Sequence, residues 1–460
     1  MVPAVDDHGT EVLSAEAAEQ WGRRVASSLR AAGIPSRSFV VIQAQNSVSL
    51  LAAVYGCLRS ELAVVVISAT LTTAERDLLL DGLPFSVILH DEELTTLCSS
   101  PVETLSPWST HFGSRPIHFT SGSSGRPKGV WSGWLNTVDA EALAQEERDT
   151  WRFSNDDVHL VCGPLSHSAP LRFALQTLLE GGSVLIPQRF DAGVVSSLIE
   201  GAATTSFMAP IHLRRLLDTA PPRDSSLRLL AHAGSSCPEP LRRRAIECFG
   251  SDNLVEFYGS TEGQFTRCSA SESLAHPGTV GRARAGRILR SDQEGRLWCH
   301  APDYARFEYW NDPQKTSEAW DGDWFTVGDL GRVDRDGYVY LEGRRSDLII
   351  TGGVNVYPAE IELVVSAASG VGEVAVFGVD DDEWGQRVCL AYIGTAVEAE
   401  VTEYAREHLA PYKRPKTVIK AEALPHTHTG KIDRISLSSL LDVDLPAREE
   451  DETARSLRSR

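Results

Sequence analysis

The feature that most constrains the fold is an alternation of apolar and amphipathic runs along the first third of the chain. We predict strands at 39–45, 63–69 and 85–91, where β-branched residues are frequent, and helices at 21–33, 49–60 and 72–83. Thr72 and Glu75 have the spacing of a capping box at the start of the third helix. Strands separated by helices in this way predict a largely parallel sheet that is covered by helices.

The rest of the chain shows different secondary-structure patterns from one region to the next. The strand and helix rhythm returns at 157–187 and 228–258, whereas residues 295–350 contain short strand patterns joined by Gly and Asp turns. Within them, DRDG (334–337) is too short for a calcium loop and is predicted as a hairpin turn.

We therefore predict an α/β fold with two domains. A large N-terminal domain (1–343) would hold parallel-rich sheets covered by helices, together with a small β-barrel-like part. A small C-terminal α+β domain (344–445) would follow, and the charged tail (446–460), which has no periodicity, is predicted to be disordered.

The composition argues against several kinds of partner. The 460 residues carry a formal net charge of −19, and both nucleic acid and anionic membranes require a basic surface. No apolar run approaches the ~20 residues of a membrane-spanning helix, and the N-terminus lacks the basic start of a signal peptide. The eight cysteines are scattered without a metal-binding spacing, so we expect reduced thiols in a cytoplasmic protein.

One short stretch, FTSGSSGRPKGV (119–130), indicates a binding loop. Its glycines and hydroxyl residues would let backbone N–H groups converge on an anion, and Lys128 would add a mobile cation. The spacing differs from that of the Walker phosphate loop and from the Gly-x-Gly-x-x-Gly dinucleotide turn. On composition alone, a phosphate loop and a plain surface linker remain equally open.

This loop is the first of six motifs that together resemble the adenylate-forming superfamily of acyl-CoA synthetases, non-ribosomal peptide adenylation domains and luciferases. The resemblance extends over residues 40–434, in the family's order. The other motifs are PLSHSAP (164–170), AHAGSSCPEPLRRR (231–244), EFYGSTEG (256–263), the long segment 324–362 and LPHTHTGKIDR (424–434). Six motifs in order are far more specific than any one of them.

The resemblance implies a two-step reaction. A carboxylate attacks the α-phosphate of ATP, releasing pyrophosphate and giving an acyl-adenylate, and a thiol then displaces AMP. Such chemistry depends mostly on positioning and on neutralising charge. The implied cofactors are ATP, Mg²⁺ and CoA, and free CoA is the expected acceptor because the sequence contains no recognisable carrier-protein domain.

By resemblance, the nucleotide site draws on residues from the whole chain. Lys431 is implied to stabilise charge at the reacting carboxylate and α-phosphate, Thr261 to bond the α-phosphate, and Glu262 to hold Mg²⁺. Tyr258 would stack on adenine, and Asp329 would accept both ribose hydroxyls. The other implied ATP-binding residues are Thr120, Ser121, Gly122, Ser123, Ser124, Gly125, Lys128, Gly234, Ser235, Ser236, Glu256, Phe257, Gly259 and Arg344.

The resemblance also implies an acyl pocket, a hinge and a path for the thiol. Ser346 is implied as the hinge of a mobile C-terminal domain, although Asp or Lys is the commoner residue there. Gly352 and Gly353 would lie beside the thiol after the domain has rotated. The implied acyl-pocket residues are His167, which is also implied in catalysis, Ser168, Ala169, Arg172, Ser235, Phe257 and Gly259.

The motifs leave the acid and the acceptor open. PLSHSAPLRFAL (164–175) looks closer to fatty-acid or aryl-acid CoA ligases than to peptide adenylation domains. Arg172 favours a polar or aromatic acid if it faces the pocket, and it carries no such information if it pairs with a protein carboxylate.

Three other functions remain as alternatives to a CoA ligase. They are transfer to a carrier protein, nitrite activation for diazo formation on an amino-aryl acid, and non-catalytic adenylate binding. The last is disfavoured because Lys128, Glu262 and Lys431 are all present. A homodimer is also left open.

Overall fold

The computed structural model describes residues 4–5, 9–102, 107–120, 128–234, 237, 239–343, 349–356, 358–425 and 436–441. The first hundred residues alternate strands and helices, as predicted. They are β1 (Ala4–Val5), β2 (Glu11–Ser14), α1 (Ala15–Ala31), β3 (Phe39–Ala44), α2 (Val48–Arg59), β4 (Ala63–Ser68), α3 (Thr73–Leu79), β5 (Phe85–Leu89) and α4 (Asp91–Ser99). β3 pairs in parallel with both β4 and β5.

Capping side chains set the helix ends in this region. α1 begins at Ala15 rather than at the predicted residue 21, because the Ser14 hydroxyl accepts a 3.2 Å hydrogen bond from the N–H of Ala17. The capping box that Thr72 and Glu75 predict is present at the start of α3. Local polar signals therefore place helix starts better than apolar periodicity does.

The middle of the chain builds the largest sheet. Its elements are β6 (His118–Thr120), β7 (Lys128–Trp131), α5 (Thr137–Trp151), β8 (Val158–Val161), α6 (Ser168–Leu179), β9 (Ser183–Ile186), α7 (Ala192–Gly201), β10 (Thr205–Met208), α8 (Pro210–Thr219), β11 (Leu229–His232), α9 (Glu239–Phe249) and β12 (Leu254–Glu256). β9, β8, β10, β11 and β12 lie side by side in parallel. The carboxyl ends of these strands share one edge, which is where such sheets bind ligands.

The chain then becomes antiparallel. The elements are β13 (Thr266–Ser269), α10 (Ala270–Ala275), β14 (Thr279–Ala283), β15 (Ile288–Ser291), β16 (Leu297–His300), a 3₁₀ turn (Asp303–Ala305), β17 (Glu308–Tyr309), α11 (Pro313–Ala319), β18 (Trp320–Asp321), β19 (Trp324–Phe325), β20 (Leu330–Val333) and β21 (Tyr338–Gly343). β13, β14, β21 and β20 extend the large sheet, and β15, β16, β19 and β18 form a separate sheet. The DRDG segment is the hairpin turn between β20 and β21.

The C-terminal region forms a sheet of its own. Its elements are β22 (Ile349–Thr351), β23 (Val354–Val356), α12 (Pro358–Val365), β24 (Val371–Asp381), β25 (Gly385–Gly394), α13 (Glu398–His408), a 3₁₀ turn (Pro411–Lys413), β26 (Thr417–Lys420) and a second 3₁₀ turn (Ser436–Leu441). Ile361 and Val401 from the two helices pack with Val376 and Leu390 of the sheet in one buried cluster. The charged tail (446–460) lies outside the described residues.

Two apolar layers hold the larger part together. Val40 and Val64 of the three-stranded sheet pack in one cluster with Val25 and Leu51 of the first two helices. A second cluster covers the large sheet with side chains from α7 and α8. None of the helices in the described ranges combines the length and the apolar character that crossing a membrane requires.

Candidate active site

A short antiparallel hairpin holds the two ends of the glycine-rich loop. β6 ends at Thr120 and β7 begins at Lys128, and these two residues are paired across the hairpin. The loop itself, 121–127, lies outside the described residues. The predictions for Ser121, Gly122, Ser123, Ser124 and Gly125 therefore stay predictions.

Lys128 lies in a compact polar cluster. Its Nζ is 5.1 Å from the centroid of the Tyr309 ring, and the Tyr309 hydroxyl donates a 2.7 Å hydrogen bond to Oε1 of Glu262. The other carboxylate oxygen of Glu262 accepts a 2.6 Å bond from Oγ of Ser260. Burial, with the nearby Lys315 ammonium, lowers the pKa of Lys128 to about 8. Tyr309 thus links Lys128, at the end of the glycine-rich loop, to Glu262.

The segment that carries Thr261 turns sharply after β12. The N–H of Ser260 donates a 2.8 Å hydrogen bond to the carbonyl of Gly263. A Cβ at Gly259 would lie 2.7 Å from that carbonyl oxygen, so the turn requires glycine. The turn leaves Thr261 on the wall of a cavity and buries Glu262 behind it.

Tyr258 and Asp329 are in direct contact. The Tyr258 hydroxyl donates a 2.7 Å hydrogen bond to Oδ2 of Asp329, and both side chains are buried. A carboxylate has about four acceptor positions, and this bond occupies one of them. The contact brings the residue predicted to bind adenine beside the one predicted to bind ribose.

Glu256 lies apart from these residues. Its Oε2 accepts a 2.9 Å hydrogen bond from Nη2 of Arg242 on α9, and burial raises the pKa of Glu256 to about 7. With His232, it lines a small void that is separate from the main cavity. This position gives no support to the ATP-binding role predicted for Glu256.

The main cavity, of about 320 Å³, lies where the carboxyl ends of the parallel strands meet the C-terminal region. Six of the predicted acyl-pocket residues line it: His167, Ser168, Ala169, Arg172, Phe257 and Gly259. Gly234 lines it as well, whereas Ser235 and Ser236 lie outside the described residues. Residues from motifs far apart in sequence therefore meet around one space.

α6 begins at the edge of this cavity. His167 occupies the N-cap position, and its side chain makes no capping hydrogen bond. Burial lowers the pKa of His167 below its ordinary value, so the imidazole is neutral at neutral pH. Arg172, further along the same helix, also lines the cavity, and its Nη1 is 3.8 Å from Oε1 of Glu147. Arg172 therefore both faces the pocket and pairs with a protein carboxylate.

Two glycines bring the C-terminal region against the larger part. Gly352 and Gly353, between β22 and β23, have φ of +57° and +79°, which favours glycine. A Cβ at Gly353 would lie 2.8 Å from Cβ of Ala209, and a Cβ at Gly234 would lie 3.6 Å from the Gly353 carbonyl oxygen. This loop reaches the wall of the main cavity because it carries no side chains there.

A buried charge cluster between the two regions was not predicted. Nζ of Lys413, another residue on the cavity wall, lies 3.4 Å from Oε2 of Glu360 and 3.7 Å from Oε1 of Glu75. The same Glu75 oxygen accepts a 2.9 Å bond from the N–H of Ala410. Burial opposes the charge of Lys413, but the two carboxylates raise its pKa above the ordinary value. The sequence indicates this cluster only through the capping box of Thr72 and Glu75, in which the other carboxylate oxygen of Glu75 accepts a hydrogen bond from the N–H of Thr72.

A second cavity, of about 70 Å³, adjoins the first. Ser168, Arg172 and Thr261 line both of them. Arg115 and Glu147 line the second cavity alone, and neither was predicted as a site residue. Three further predicted residues, Arg344, Ser346 and Lys431, lie outside the described part of the chain.

The sequence matches known enzymes over both regions. Residues 2–111 and 115–302 match the AMP-binding enzyme family, and residues 360–431 match the AMP-binding enzyme C-terminal domain. The chain is 33% identical over 356 residues to a long-chain-fatty-acid–CoA ligase of Mycobacterium tuberculosis, which covers 72% of this chain and 68% of the relative. It is 28% identical over 459 residues to the 2-succinylbenzoate–CoA ligase of a Geobacillus species, with 90% of each chain covered.

One solved relative, the o-succinylbenzoate CoA synthetase of Bacillus subtilis, is similar in two states. A double mutant bound with a product analogue superposes with a TM-score of 0.83 at 25% identity, covering 92% of both chains. The complex with the acyl-adenylate intermediate gives a TM-score of 0.65, also at 25% identity, covering 91% of this chain and 92% of that chain.

The chain therefore belongs to the AMP-binding, adenylate-forming enzyme family. It is an AMP-forming acid–thiol ligase of the acyl-CoA synthetase type. The family, the fold and the enzyme class that the motifs predict are confirmed.

Proposed function

We propose that the chain adenylates a carboxylic acid in the main cavity and transfers the acyl group to CoA in the domain arrangement described above. The observation that carries this proposal is the composition of the cavity wall. His167, Phe257 and Gly259 of the larger part form one side, and the Gly352–Gly353 loop of the C-terminal region forms another. An acyl group and a thiol can meet in a space to which both regions contribute.

The nucleotide is proposed to extend from Lys128 to Asp329. Lys128 would neutralise the β- and γ-phosphates, Thr261 would bond the α-phosphate, and Asp329 would accept the ribose hydroxyls. His167, which burial keeps neutral, would position the acyl group without adding charge. Each step then depends on orientation and on charge that is already in place.

The residues present suit Mg²⁺ bound mainly through the substrate. Mg²⁺ is usually held by one or two carboxylates together with phosphates and water. Glu262, with the hydroxyl oxygens of Ser260 and Thr261 beside it in sequence, fits that role. No set of three acidic, His or Cys side chains in the described ranges could hold a metal ion without the substrate. When bound, the ion would neutralise charge on the phosphates.

We also propose that the arrangement described here is the one that forms the thioester. The similarity to the product-analogue complex of the Bacillus subtilis relative, against the lower similarity to its adenylate complex, supports this. The domain limits would be 1–343 and 344–445, with Ser346 as the hinge. Rotation there would bring Lys431 to the α-phosphate for the first step.

A mass-spectrometric screen tests the function. The purified protein, ATP and Mg²⁺ would be incubated with a panel of aliphatic, aryl and amino-aryl acids, each with CoA, with nitrite or with neither. The expected result is acid-dependent release of AMP and pyrophosphate with a matching acyl-CoA. Adenylate without thioester would point instead to a carrier protein, and a nitrite-dependent diazo product to diazo formation. No ATP consumption with any acid would contradict the proposal.

A further inference from the structure

The charged side chains around the second cavity do not balance. In the described part of the chain, four are cationic and two are anionic, and all of them except Arg115 appear among the charges that act on Arg115 or Arg172. The set consists of Arg115, Arg172, Arg284, Arg287, Glu146 and Glu147. Nucleic-acid and membrane partners cannot reach so deep a group of charges, so the excess calls for a small anion.

Two of the arginines already occupy the two carboxylates. Nη2 of Arg284 lies 3.1 Å from Oε1 of Glu146 and 3.0 Å from Oε1 of Glu147. Arg287 forms an ion pair with the same Glu146 oxygen. Burial opposes the charge of Glu147, yet Arg284 and Arg172 lower its pKa below the ordinary value. Both carboxylates are therefore paired with Arg284 or Arg287 before Arg115 and Arg172 are considered.

The two arginines on the wall of the second cavity, Arg115 and Arg172, have too little negative charge beside them to neutralise their own. Among the residues that the structure describes, the one ion-pair partner of Arg172 is the shared Glu147, at 3.8 Å. Arg115 hydrogen-bonds and ion-pairs with no side chain in the described ranges, although it lines the cavity. Burial and the neighbouring Arg172 lower the pKa of Arg115 to about 9, and a guanidinium stays protonated at neutral pH. Both arginines are only partly exposed, and a largely desolvated charge without a close counter-ion is costly unless a ligand completes it.

We propose that the acid substrate carries a second anionic group, a carboxylate in the first instance, which binds between Arg115 and Arg172 in the second cavity. Its other carboxylate is adenylated in the main cavity, and the inference rests on that proposed function. Ser168, Arg172 and Thr261 line both cavities, so one molecule can extend from the first into the second. Guanidinium groups recognise carboxylates through paired hydrogen bonds.

The size and the walls of the second cavity agree with this substrate. A cavity of about 150 Å³ admits benzene, and the second cavity measures about 70 Å³, which suits a carboxylate better than a ring. Apolar residues such as Leu143 and Leu175 also line it and would contact the carbon chain beside the anion. An alkyl tail without charge would instead have to lie against two guanidiniums and displace their solvation.

The test compares acids that differ only in the second carboxylate. The probes are adipate against hexanoate, terephthalate against benzoate, and 2-succinylbenzoate against 4-oxo-4-phenylbutanoate. Acid-dependent pyrophosphate release gives kcat/KM for each acid. We expect a dicarboxylate to exceed its monocarboxylate partner by roughly tenfold or more, as for a charge-assisted contact. Equal or better use of the monocarboxylate in every pair would overturn the inference and leave the ligase function standing.

Variants of Arg115 test whether the second cavity causes the preference for dicarboxylates. Arg115→Gln is expected to lower the dicarboxylate-to-monocarboxylate ratio of kcat/KM by roughly tenfold, and Arg115→Lys to restore part of it. Arg148→Gln is the matched control, because Arg148 on the same helix as Glu147 pairs with Glu180 at 2.6 Å and lines neither cavity.

The outcomes separate the inference from the function on which it rests. A ratio that stays unchanged in Arg115→Gln, with the variant folded by thermal melting, would refute the role of Arg115. Absence of pyrophosphate release with every acid, including those of the wider screen, would contradict the ligase function itself, and the inference would fall with it.

Discussion

The hydroxyl of Tyr258 donates a 2.7 Å hydrogen bond to Oδ2 of Asp329, although the two residues are 71 positions apart. Each belongs to a separate motif, and each is buried. The bond orients the Asp329 carboxylate before a nucleotide binds. The structure thus links the proposed adenine and ribose contacts directly.

This link predicts how the enzyme discriminates between nucleotides. Wild-type protein should use 2′-deoxy-ATP less efficiently than ATP, by roughly tenfold in kcat/KM, because a hydrogen bond to a charged acceptor is lost. Asp329→Ala should remove most of this difference, since neither nucleotide then finds the carboxylate. Pyrophosphate release with both nucleotides measures it. A preference for ATP that survives in Asp329→Ala would place the ribose elsewhere.

Tyr309→Phe should weaken the use of ATP. The change keeps the ring beside Lys128 but removes the donor to Glu262, which leaves a buried carboxylate oxygen without its partner and costs about 1–3 kcal/mol. We expect kcat/KM for ATP to fall roughly tenfold and the Mg²⁺ concentration required to rise. Tyr338→Phe, whose ring stacks on His276 at 3.7 Å, serves as control. Equal effects of the two substitutions would contradict a role for Tyr309 at the nucleotide.

The use of ATP should depend on pH through Lys128. Burial and Lys315 lower the pKa of Lys128 to about 8 in the free protein, so the cation is present below that pH and is lost as the pH rises above it. kcat/KM for ATP should therefore fall as the pH rises through 8. Lys128→Arg keeps its charge and should shift the fall to higher pH. An identical pH profile for the two proteins would assign the titration to another group.

Lys413→Met should affect the two half-reactions unequally. The change leaves Glu75 and Glu360 buried without their shared cation, and removing one partner of such a cluster is strongly destabilising. We expect transfer from preformed acyl-adenylate to CoA to slow by roughly tenfold or more, with pyrophosphate release much less affected. Lys420→Met, on the exposed edge of β26, is the control. Equal slowing of both steps would show that the cluster only supports folding.

The sequence predicts the backbone positions of the site better than its side-chain contacts. His167, Phe257 and Gly259 lie where strand ends and helix starts meet, and such positions follow from the order of strands and helices. Gly352 and Gly353 are likewise predictable, because a glycine pair between two strands indicates a turn. These features depend on local patterns that a single sequence displays.

The contacts that the sequence does not predict join distant segments. Ala410 bonds Glu75 across 335 positions, and Tyr309 comes from a strand of two residues that has no periodic pattern. Glu146 and Glu147 lie in the run QEERD, which looks like a solvated helix face, yet both are buried and pair with Arg284 and Arg287 from the segment between β14 and β15. Pairing of buried charges is decided by the tertiary fold, so the excess of arginine becomes visible only in the structure.

We propose that one chain performs two half-reactions in two domain arrangements. The most direct test measures both half-reactions in Lys431→Ala: pyrophosphate release with acid and ATP, and thioester formation from preformed acyl-adenylate and CoA. We predict that the first is abolished and that the second retains much of the wild-type rate, because the Gly352–Gly353 loop and not Lys431 would face the acyl group during transfer. Equal loss of both half-reactions would contradict the account.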